Sequence, residues 1–133
     1  MKPFDIAYVA DTSRRGDKVS LGYNETDENF LLSSISTVFT SKDFNEFDPT
    51  FIYLWFCRPE FDRYARFNSW GSARETFSWE EMCRVKVPKP SIEVQRAIVD
   101  IYHCARRAKE IAEEASQQLK SICPALMQHI IHS

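Results

Sequence analysis

The run Val94, Ile98, Ile101, Ala105, Ala108, Ala112, Ala115, Leu119, Ile122 decides the architecture, because its spacings alternate 4, 3, 4, 3 from end to end. Apolar residues at that period form the a/d seam of a heptad helix, and four heptads satisfy the criterion for a coiled coil. The segment 92–123 that carries them contains no Gly and is dense in Ala, Glu, Gln, Arg and Lys, all helix formers. At ~1.5 Å per residue it is about 48 Å long. A rod of that length cannot bury its seam along a globule built from the ninety residues before it. The middle four seam positions are Ala, with Val, Ile and Leu toward the ends. Small residues let two helix axes approach closely, and the large-small-large order matches sizes best in an antiparallel pair. The g edge (Ala97, Cys104, Ile111) adds packing area, while Arg96, Asp100, Arg106, Arg107, Glu110, Glu113 and Glu114 occupy the solvated positions. The alternative is a long amphipathic helix folded back on its own domain.

Working outward, Pro88-Lys89-Pro90-Ser91 marks the boundary. The prolines enforce an extended approach, Ser91 caps the helix and Glu93 suits its positive end. The expected organisation is a mixed α+β domain over 1–90 and a long helix over 91–133, with a break at Pro124 and a short helix after it. Within 1–90, Ile6–Ala10 and Lys18–Leu21 read as strands around a turn, and Leu31–Phe39 alternates like a longer one. Asp48-Pro49 starts a helix that runs on toward Tyr64 and Phe67. Ser78 caps a short helix, and Val85 and Val87 alternate with Arg84 and Lys86 as a last strand.

Composition limits what this domain can do. The 133 residues carry 17 Lys+Arg against 19 Asp+Glu, a net charge of −2, so no strong field advertises a partner. Hydrophobic residues at 44% and aromatics at 14% are enough for a core and exclude a mainly disordered chain. Three Gly are too few for a phosphate cradle beyond ordinary turns. No apolar run reaches the ~20 residues of a membrane span, and the start lacks the form of a secretion signal. Cysteines at 57, 83, 104 and 123 form no C-x-x-C pair and read as reduced cytoplasmic thiols, those in the helix packing as small hydrophobes. His103, His129 and His132 lie in the helical tail, and no base is delivered to a nucleophile. The chain therefore reads as non-catalytic, with no metal site.

A weak nucleic-acid signal runs through 58–89. Arg58, Arg63, Arg66, Arg74, Arg84, Lys86 and Lys89 interleave there with Tyr64, Phe67, Trp70, Phe77 and Trp79. Five acids in the same stretch leave it at only +2. Cations with aromatics suit phosphates and base edges, but this falls short of a basic stripe.

The junction carries a resemblance. Gly71-Ser72-Ala73-Arg74, then Phe77-Ser78-Trp79-Glu80, then Val85-Lys86-Val87-Pro88-Lys89-Pro90, lead into Glu93-x-Gln95-x-x-Ile98. This resembles the end of a target recognition domain and the helix entry in specificity (S) subunits of type I restriction-modification enzymes. The form there is a G-S/T-x-R loop, a proline-bearing segment and an E-x-Q-x-x-I helix. The match is fairly specific over 69–101 and looser over 4–68. Such subunits carry two recognition domains, each reading half of a bipartite DNA site, joined by two helices packed antiparallel. Two methyltransferase subunits dock on them and bind S-adenosylmethionine, so no cofactor is expected on this chain. One recognition domain and one helix make at most half such a subunit, which a homodimer through the seam would complete, with an inverted-repeat target. The resemblance offers Ser69, Ser72 and Arg74 as DNA contacts, and Arg14, Arg15, Lys18 and Lys42 as electrostatic ones. A fragment of the same family that keeps the helix and lacks DNA affinity is the competing reading.

Overall fold

The computed structural model describes residues 1–11, 18–71 and 75–131, with 124–131 as backbone alone. It shows a small mixed α+β domain with a three-stranded antiparallel sheet, and a long C-terminal helix. The strands are β1 (Ile6–Val9), β2 (Ser20–Tyr23) and β3 (Ser36–Phe39), in the order β2-β1-β3. Ile6 pairs with Tyr23 on one side and with Phe39 on the other. The expected long strand over Leu31–Phe39 is thus cut to its last four residues. Its central partner β1 is only four residues long, and beyond it the Ser36 amide closes a turn onto the Ser33 carbonyl at 3.0 Å. Residues 30–35 are exposed, so alternation there reflects no buried face.

Two helices follow where one was expected: α1 (Pro49–Phe56) and α2 (Pro59–Phe67). Asp48 caps α1, its Oδ1 accepting from the amides of Thr50 (2.8 Å) and Phe51 (3.1 Å). Pro59 makes the division, since the residue before a proline is driven from the helical region and Arg58 sits at φ −78°, ψ 144°. The short helix α3 (Trp79–Arg84) is capped by Ser78, as its sequence implies. Val85 and Val87 are not a strand. They run extended and half-buried against the core, without a strand partner among the described residues.

The core gathers Tyr8, Val19, Phe56, Phe61, Ala65, Phe77 and Met82. Edge-to-face rings link it, with Phe56 to Phe61 at 4.7 Å and Phe61 to Phe77 at 5.8 Å between centroids. The Val19 amide donates to Asp62 Oδ1 at 2.9 Å, tying the start of β2 to α2.

The last element, α4 (Ile92–Ile131), spans about 60 Å over its 40 residues. It passes through Pro124 as one helix, so the expected break there is corrected. A proline removes one bond from the ladder, and the turns on either side retain theirs. The chain divides into two compact units, Met1–Arg96 and Ala97–Ser133, so the first residues of α4 belong with the globule rather than the boundary falling at 90.

Candidate functional site

The entry to α4 belongs with the globule because of Gln95, whose side chain is fully buried. Its Oε1 accepts from the Asp48 amide at 3.0 Å, and its Nε2 donates to the carbonyls of Glu46 (3.1 Å) and Pro90 (2.9 Å). One primary amide thereby satisfies three backbone groups from the α1 cap and the proline segment, which no apolar side chain could do. Lys89 adds an exposed ion pair to Glu46 at 2.6 Å. The Glu93 carboxyl is held below its usual range, first by its own backbone N–H, then by the Ser91 hydroxyl and Arg96. The Q of the E-x-Q-x-x-I run is thus a structural lock.

Beyond the lock, the seam lies in water. Val94, Ile98, Ile101, Leu119 and Ile122 are between 41 and 70% exposed, and Ala105, Ala108, Ala112 and Ala115 are exposed as well. Ile111 on the g edge is 52% exposed. Cys104 and Cys123 are exposed rather than packed, and Cys57 and Cys83 are free and exposed too. The charged positions pair within the helix, Arg106 with Glu110 at 3.4 Å and Lys109 with Glu113 at 3.8 Å. Such surface pairs contribute only about 0.3–0.5 kcal/mol each. The seam is therefore a continuous apolar stripe flanked by charges, several of which pair within the helix.

On the globule, the chain leaves α2 at Ser69. Ser69 is buried, and its Oγ donates to the Ala65 carbonyl at 2.6 Å, closing the last turn of α2. The candidate DNA contact Ser69 is thus placed at the end of α2, with its hydroxyl proton donated there. Gly71 has φ 143°, a conformation that needs glycine. Trp70 and Thr76 exchange backbone bonds at 3.2 and 3.1 Å, and the Phe77 amide donates to Ala10 O at 2.9 Å, so the base of the loop is fixed. Ser72 and Arg74, and likewise Arg14 and Arg15, lie outside the described residues. Lys18 and Lys42 are exposed.

The structure also gathers part of the interleaved 58–89 stretch into a cleft of about 420 Å³. Its walls are Trp55, Phe61, Tyr64 and Val85, and Arg58, Arg84 and Lys86 stand around it with the single carboxylate of Glu60. The Arg58 guanidinium lies 3.3 Å from the centre of the Trp55 ring, and its Nε donates to Trp55 O at 3.1 Å. The residues are legible in sequence as a cationic and aromatic stretch. Their convergence is not, because it depends on the turn at Pro59 and on Val85 lining the same cleft as α2.

Among the described residues no three His, Cys, Asp or Glu side chains come together as metal ligands, and no helix is long and apolar enough to cross a membrane. No protein-family model, curated protein or solved structure matches the chain.

Proposed function

We propose that the chain is a DNA-specificity component, a half or truncated S subunit, of a type I restriction-modification enzyme. In this reading it binds half of a bipartite DNA site, docks methyltransferase subunits and dimerises through α4. The observation that carries the reading is the exposed heptad seam from Val94 to Ile122, small at its centre and large at its ends. An antiparallel copy sets Val94 against Ile122, Ile98 against Leu119, and Ala108 against its own counterpart. The Ala-rich middle lets the axes come close, and the larger ends supply most of the apolar area. A two-fold pair of globules then faces an inverted repeat. Methylation and cleavage belong to the partner subunits, where S-adenosylmethionine binds, and this chain supplies placement. The Gln95 lock supports the reading, because it fixes the helix entry of the E-x-Q-x-x-I run against the α1 cap and the proline segment.

Co-expression with the modification subunit of the same genome, followed by mapping of methylated bases, tests it. A palindromic bipartite motif is expected. The absence of a complex with that subunit would overturn the reading.

A second reading, a protein-interaction fragment without DNA affinity (an assembly competitor or recombination-cassette product), is favoured by the net charge of −2. Retention on DNA that falls steeply between low and moderate salt separates the two, since phosphate contacts release counterions. A stable complex with the modification subunit but no methylated motif selects the fragment.

A further inference from the structure

The cleft beside α2 has two kinds of wall, and together they narrow what it takes. Its interior is aromatic and apolar, and Tyr64 stays 37% exposed there while packing edge-on with Phe77 at 6.2 Å. Around it the three cations outnumber the one acid that lines it. Glu60 is drawn outward to Arg63 at 3.4 Å. Arg58 is held in place by the Trp55 ring and by one bond through Nε, which leaves the two Nη groups of the fork without a partner among the described residues. Arg84 pairs with Glu81 on the same turn, and Lys86 has no partner among the described residues. A guanidinium oriented beforehand in this way suits a phosphate bidentately. A bare anion would leave the apolar interior unused, and an uncharged ring would leave the cations unused. The volume lies within the roughly 300–1,000 Å³ of small-ligand sites.

We propose that this cleft is a nucleotide site, with Arg58, Arg84 and Lys86 taking the phosphate and Tyr64 with Val85 taking the base. It deepens the DNA reading and rests on it for the strand that supplies the nucleotide. The affinity for a nucleotide monophosphate does not depend on the rest of that reading. Its contact is with one nucleotide rather than with a sequence.

Calorimetric titration of the full chain at low salt with thymidine 5′-monophosphate, thymidine and inorganic phosphate tests the assignment. Saturable binding of the monophosphate is expected, with thymidine and phosphate each weaker by at least about tenfold. Lys86→Ala should weaken the monophosphate about fivefold or more. Glu81→Gln should tighten it, because it releases Arg84; a residue that merely supported the fold would not do so. Tyr64→Leu should weaken the monophosphate by about fivefold and leave inorganic phosphate unchanged. Absence of saturable binding, equal binding of all three probes, or an affinity indifferent to Lys86→Ala and Glu81→Gln would overturn the proposal. Monophosphate binding without any methylated motif in cells would count against the DNA reading alone. A motif without monophosphate binding would count against the cleft alone.

Discussion

The globule and the far part of α4 use the same apolar residue types to opposite ends. In the globule Tyr8, Ile6 and Phe77 are at most 1% exposed, and the polar groups that go in with them, such as Gln95, are almost all paired. In α4 the residues Ile101, Leu119 and Ile122 are at least half exposed. A sheet with helices can close over its own side chains, because strands and helices far apart in sequence return to one place. A single helix has only neighbours three and four residues away and cannot cover its own stripe. Identical chemistry is thus enclosed in one region and left exposed in the other.

Phe77→Ala should cost about 3–5 kcal/mol in urea-monitored unfolding, because the side chain is wholly enclosed. A loss under about 1 kcal/mol would mean that the core is not closed. With pairing through the seam as proposed, Ile98→Asp with Leu119→Asp should raise the dissociation constant by about tenfold per position, read by sedimentation velocity. The urea midpoint of the globule should stay put. A sedimentation profile identical to that of the parent chain would remove the seam as the association surface.

Gln95→Ala comes next. It strips bonds from the Asp48 amide and the Glu46 and Pro90 carbonyls at once, so about 2 kcal/mol should be lost. Gln95→Glu should cost more, since an ionised carboxylate cannot donate to the two carbonyls. If Gln95→Ala left stability intact, the start of α4 would belong with the open region after all.

The smallest effect tests an imperfection in the closed region. The Tyr8 hydroxyl is buried without a hydrogen bond of good geometry among the described residues. Burial pushes its pKa above the ordinary 10.0, the neighbouring Thr37 hydroxyl opposes this by less, and Cys83 and Glu80 add to it. The fold therefore holds the phenolic proton more tightly than the unfolded chain does. That contribution is whole below pH 10 and is lost as the pH rises through the raised value. Tyr8→Phe should flatten this alkaline loss and, near neutral pH, change stability by no more than about 1 kcal/mol, in the stabilising direction. Urea melts at neutral pH and above pH 10 read both.

Local signals in the sequence were legible where one residue or one period suffices. Asp48-Pro49 and Ser78 start helices as their chemistry requires, and the 4-3 spacing places the stripe on one side of α4. Reading failed where a neighbour decides. The strand over Leu31–Phe39 shrank because its partner is short, Val85 and Val87 found no strand to pair with among the described residues, and Pro59 divided a helix that its apolar pattern carries across. That the Ser69 hydroxyl closes α2 is likewise set by the fold and not by the order of residues. Of the loop candidates, Ser72 and Arg74 stay outside the described residues, while the cleft at Arg58, Arg84 and Lys86 emerged from residues visible only as a charged stretch.

By itself the sequence determined the elements whose causes are local: helix caps, the long helix and the heptad order of its exposed apolar side. Those depend on contacts within about four residues, which the order of residues states outright. The tertiary structure alone decided that Gln95 meets Glu46 and Asp48, and that three separated cations surround one aromatic cleft. Such partners lie tens of positions apart, and only the return of the chain through the sheet and the turn at Pro59 brings them within bonding distance.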